Sequence, residues 1–94
     1  MSLYAVRYDY SDQSAARDEH RPAHRAFLGS LATDGVLKLS GPLAGEPGGA
    51  LIVLEAGDAA AVRTLLLDDP FQQQGLVEHV DVREWSPVLG TWLP

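Results

Sequence analysis

Two residues in this chain could form an acid/base couple: His24, within Arg21-Pro22-Ala23-His24, and Asp69, within Asp69-Pro70-Phe71. An imidazole passes protons near neutral pH, and a carboxylate bonded to one ring nitrogen fixes its tautomer and stabilises positive charge on it. Competing chemistries are few. The chain has no cysteine, which removes thiol nucleophiles, thiolate metal sites and disulfides together. Ser30 and Ser40 stand in no nucleophile-elbow context, so hydrolysis through an acyl intermediate is not expected.

Each candidate also has a purely structural reading. His24 shares one helical stripe with Phe27, Leu28 and Leu31, so its ring points toward the layer beneath the helix. A lone histidine on an apolar face is more often a satisfied core residue than a reactive one. Asp69 precedes proline and is pushed toward extended backbone. At the end of a helix its charge would face the negative end of the dipole, a cost that a nearby imidazolium would offset; otherwise Asp68-Asp69-Pro70 is a polar helix terminus. Arg21, one turn before His24, would pair with an anionic group of a ligand or with an acidic neighbour. Ser40-Gly41-Pro42 would let backbone approach a ligand closely, or would only end a strand. Arg21, Ser40, Gly41, Pro42 and Phe71 form the candidate ligand-binding set. A metal held by His20, His24 and Asp69 has the right helical spacing, but Pro22 interrupts it, and no metal is expected. The Gly45–Gly49 stretch lacks the Lys-Ser/Thr ending of a phosphate loop.

The elements that must position these groups follow from periodicity. Leu3–Tyr8 alternates as a strand, and Ser14–Asp34 has helical period, with Pro22 implying a kink or a start near Arg21. Gly35 suits the helix end. A second strand spans Val36–Ser40, closed by Gly41-Pro42; a loop covers Leu43–Gly49; Ala50–Ala56 is the most apolar strand. Asp58 is a good N-cap for a helix from Ala59 to about Asp68, which Pro70 stops. Val77–Trp85 is a last strand, and Ser86–Pro94 a tail with an exposed Trp92. The order, strand, helix, strand, strand, helix, strand, is that of a ferredoxin-like α+β domain with a four-stranded antiparallel sheet. Two helices cover one face of such a sheet, so a homodimer packing sheet against sheet is expected to bury the other.

Ninety-four residues that are 46% hydrophobic suit one domain over residues 1–94, its core about 3–88 and its tail 89–94. The net charge of −6, with seven scattered basic residues, excludes nucleic acid as a partner. No apolar run approaches the roughly 18 residues of a membrane span, and no leader segment is visible, so a cytoplasmic location is expected.

Arg21-Pro22-Ala23-His24, Gly35, Gly41-Pro42, Asp69-Pro70-Phe71, Gly75-Leu76 and Trp85-Ser86-Pro87-Val88 together resemble, in order and spacing, the YciI-like (YCII-related) family. The resemblance spans roughly Leu3 to Val88. It implies a dimeric α+β barrel of ferredoxin-like subunits and a pocket whose His and Asp fall on His24 and Asp69. One branch of the family looks like dehydrochlorinases acting on chlorinated hydroxyhydroquinones, and relatives sharing the fold include muconolactone isomerases and cofactor-independent monooxygenases. The resemblance thus implies proton transfer on a small ring compound without a cofactor. The chain departs from some relatives in a shorter, Gly-rich loop after Gly41-Pro42 and in its Trp92 tail. The expected function is a small enzyme in which His24 shuttles a proton and Asp69 orients it. The alternative is a non-catalytic ligand-binding or interaction module, with His24 and Asp69 a buried structural pair.

Overall fold

Large apolar residues at alternate positions decide the first strand: Tyr4, Val6 and Tyr8 are buried along one face of β1 (Ser2–Tyr10), while Arg7 between them is exposed on the other. The computed structural model, which describes residues 1–93, continues with α1 (Ser14–Thr33), β2 (Leu37–Leu43), β3 (Gly49–Ala56), α2 (Ala59–Leu66), α3 (Pro70–Gln73) and β4 (Val77–Trp85). The strands form one antiparallel sheet in the order β2-β3-β1-β4, the expected α+β architecture.

One face of this sheet carries the core. Tyr4, Val6 and Tyr8 of β1 and Ile52 and Leu54 of β3 meet Leu28 and Leu31 of α1 and Val62 and Leu66 of α2. Each fully buried large apolar side chain contributes roughly 1.5–3 kcal/mol, so this layer dominates stability. Gly35, at φ 79°, closes α1: its N–H donates to the Ala32 carbonyl and that of Val36 to the Leu31 carbonyl. Asp58 caps α2 by accepting the Ala61 N–H at 2.7 Å. Among the described residues no helix is long and apolar enough to cross a membrane.

Three sequence expectations are corrected. Helix α1 does not start near Arg21; it runs from Ser14 to Thr33 with Pro22 inside. Pro22 is exposed, so water can serve the Asp18 carbonyl that loses its donor. Strand β2 does not close at Gly41-Pro42 but passes through both to Leu43. It is an edge strand, where proline is tolerated. Pro70 does not simply stop a helix: α2 ends at Leu66, and Pro70 opens the short α3, for which its fixed φ is suited.

A register shift decides which side chains of β2 reach the helix side of the sheet. Between Leu37 and Leu39 the pairing of β2 with β3 slips at Lys38, so Leu37 pairs with Leu54 but Leu39 with Val53. A one-residue slip turns every later side chain to the opposite face. Ser40 and Pro42 thereby face the helices beside Ile52 and Ala50, while Leu39 and Leu43 face away. Gly49 is required at the other end of the hairpin. A Cβ there would lie 2.0 Å from the Tyr8 carbonyl oxygen, so only glycine lets β3 close onto β1.

Candidate active site

Asp69 is wholly buried, and the chain surrounds it with donors. Its backbone is extended, as the following proline demands, and its side chain caps α3: Oδ1 accepts the Phe71 N–H at 3.0 Å. The expected clash with the end of a helix dipole is therefore corrected, because Asp69 stands at the start of a new helical turn. Oδ1 also lies 2.7 Å from His24 Nδ1, and Oδ2 accepts the Tyr8 hydroxyl at 2.8 Å. Tyr8 in turn accepts from Gln72 Nε2 at 3.2 Å. Charge-assisted hydrogen bonds of this kind are the strong ones.

The network assigns the tautomer. A carboxylate only accepts, so Nδ1 of His24 carries the proton that faces Asp69. That leaves Nε2 as the ring nitrogen with a free lone pair when the imidazole is neutral. Among the described residues every fully buried side-chain nitrogen and oxygen has a partner. Nε2 has none, so it is in contact with open space. Phe71 stacks flat on the imidazole, with centroids 3.9 Å apart and planes 3° apart, which holds the ring in one orientation.

That open space is a cavity of about 380 Å3 between α1 and the sheet. Arg21, His24, Arg25 and Leu28 of α1 line it on one side, and Ser40, Gly41 and Pro42 of β2 on the other. Ala50, Ile52, Tyr10 and Phe71 complete it. The structure therefore gathers His24 and the expected ligand-binding set, Arg21, Ser40, Gly41, Pro42 and Phe71, around one space, with Asp69 behind His24. Arg21 also donates to Asp18 at 2.6 Å, the acidic-neighbour reading. His20 does not join His24 and Asp69: no three His, Asp or Glu side chains among the described residues converge as a metal site would require.

Sequence reasoning missed Tyr8, Tyr10, Arg17 and Arg25. Burial and the neighbouring Asp69 carboxylate push the Tyr8 hydroxyl well above its usual range, so it stays a donor. Burial also raises Tyr10, an effect that Asp69 reinforces and Arg17 and Arg21 oppose. Buried Arg17 stands 4.9 Å from the Tyr10 ring centroid and donates to the Ser11 carbonyl and, at 3.2 Å, to that of Pro47. It thus pins the cavity's Tyr10 wall to the loop before β3. The signal for both tyrosines was available: they alternate on the core side of β1, and a buried phenol needs a partner.

Residues 1–86 match the family model of the YCII-related domain. The chain belongs to the YCII-related family. No curated protein sequence matches this YCII-related chain. Among solved structures it resembles 5-chloro-2-hydroxyhydroquinone dehydrochlorinase from Burkholderia phenoliruptrix AC1100, in complex with 2,5-dihydroxybenzoquinone. The TM-score is 0.79 at 22% sequence identity, over 89% of this chain and 93% of that one. At that identity the likeness extends to the fold of the YCII-related domain.

Proposed function

We propose that this protein is a small cofactor-independent enzyme that moves a proton on a compact ring substrate, with His24 as the acid/base and Asp69 as the group that orients and charges it. The carrying observation is the buried Tyr8–Asp69–His24 chain, whose one unpartnered nitrogen opens onto a cavity of about 380 Å3. Such a cavity falls at the small end of ligand sites, roughly 300–1,000 Å3. His24 Nε2 takes a proton from an acidic C–H or O–H of the ligand, and Asp69 stabilises the imidazolium that forms. The proton returns at another position in an isomerisation; if the electron pair freed by its removal instead forms a new double bond while a leaving group departs with the pair of its own bond to carbon, the outcome is elimination. Arg21, Ser40, Gly41, Pro42 and Phe71 hold the ligand. Family membership and the fold of the chlorohydroxyhydroquinone dehydrochlorinase support the same class of chemistry.

The protein acts as a homodimer in the cytosol on this reading, its second copy covering the sheet face that the helices leave bare. The test is catalysed hydrogen exchange. In D2O, wild-type protein should accelerate exchange of the ring hydrogens of 2,5-dihydroxybenzoquinone, followed by NMR, and His24→Gln should return it to the buffer rate with circular dichroism unchanged. Equal acceleration by both proteins removes His24 from the mechanism.

A further inference from the structure

Arg25 was not singled out by its sequence context, yet it lines the cavity beside His24. Its situation differs from that of Arg21, four residues earlier on the same face of α1. Arg21 has Asp18 at 2.6 Å, whereas Arg25 makes no ion pair or side-chain hydrogen bond among the described residues. Like charges four residues apart on a helix repel, and only one of the two is compensated within the chain.

The rest of the lining sharpens the contrast. No Asp or Glu lines the cavity, although the chain carries a net charge of −6. Of its polar side chains, Arg21, Arg25, Ser40 and Tyr10 can donate hydrogen bonds, and His24 Nε2 is the acceptor that takes the proton. Between them lie apolar surfaces from Leu28, Ile52 and the flat Phe71. A site that offers donors and positive charge around a flat apolar slot matches a planar ring that bears negative charge.

We propose that Arg25 determines substrate specificity by pairing with an anionic substituent, so that the ligand class is a small ring compound carrying a carboxylate or an ionised ring oxygen. This rests on the proposed acid/base reading of the same cavity and adds to it. Proton abstraction by Nε2 of His24 leaves the ligand's electron pair on the ring and its oxygens, and a guanidinium at the rim stabilises that charge.

Three probes of similar shape separate the possibilities: 2,5-dihydroxybenzoate with its carboxylate, 2,5-dihydroxybenzoquinone with ionised ring oxygens, and neutral hydroquinone. Binding to the full chain is measured by calorimetry and by NMR shifts of the His24 ring. Wild type should bind at least one anion roughly fivefold to tenfold more tightly than hydroquinone, with the preference shrinking as salt rises. Arg25→Gln should abolish that preference, and Arg25→Lys should keep part of it. Equal affinities in wild type, or a preference that survives Arg25→Gln, overturn the role of Arg25. If no probe moves the His24 resonances, the cavity reading itself fails together with this inference; if all three move them equally, only Arg25's role fails.

Discussion

At the scale of single residues, the outcome turns on how a buried carboxylate is kept. Asp69 is tolerable without solvent because three donors surround it, the Phe71 N–H, the Tyr8 hydroxyl and His24 Nδ1. Tyr8→Phe removes one of them and leaves shape unchanged. Stability at neutral pH should fall by about 2 kcal/mol, the usual worth of a hydrogen bond to a charged group, as measured by urea denaturation. The pH dependence has a definite sign. The Tyr8 hydroxyl titrates above its ordinary value of 10.0 in the fold, so the unfolded chain loses this proton first. Its contribution is intact below about pH 10 and declines as pH rises beyond it. The alkaline loss of stability should be shallower in Tyr8→Phe, though not absent, because Tyr10 is raised too. An alkaline limb as steep as in wild type would show that Tyr8 does not hold its proton in the fold.

Elements position these residues, and here the sequence was legible unevenly. Element order, the Gly35 stop and the Asp58 cap were readable because each has a local chemical cause within a few residues. The meeting of His24 with Asp69 was readable only as a possibility, since it depends on α3, a single turn with no periodicity to detect. The Lys38 slip was invisible for another reason: it is defined by pairing with β3, not by β2 itself, yet it aims Ser40 and Pro42 into the cavity. Gly49 is the counterpart that sequence presented only as loop glycine. A methyl at this position would have only 2.0 Å to the Tyr8 carbonyl oxygen, so Gly49→Ala forces β3 away from the strand that carries Tyr8. Thermal and urea unfolding should register a loss of about 3 kcal/mol. A variant as stable as wild type would mean that the hairpin shifts freely, and that the site tolerates it.

For the whole molecule, the decisive feature is the sheet face turned away from the helices. Leu39, Leu43, Leu51 and Trp85 stand 42%, 39%, 36% and 45% exposed there. Val53 points the same way but is only 2% exposed, because it lies beneath a cleft whose far wall is the segment after β4, including Pro87 and Leu89. That segment carries further apolar surface outward, with Trp92 87% exposed. These apolar side chains share the face with the charged Arg7, Asp81 and Arg83, and exposed apolar area beside such a rim fits the proposed contact with a second copy. A second copy related by two-fold symmetry would present the same face and bury it reciprocally. Leu51→Asp places a charge in the middle of the shared surface and should convert a dimer to a monomer in sedimentation velocity, while the cavity on the other side of the sheet stays formed. Both tryptophans of the chain, Trp85 and Trp92, lie on or beside this face. Their emission should therefore shift to the blue as wild-type protein is concentrated through the association range, and should stay solvent-like in Leu51→Asp. A monomeric wild type with concentration-independent emission would leave the apolar face bare and remove the second copy as its cover.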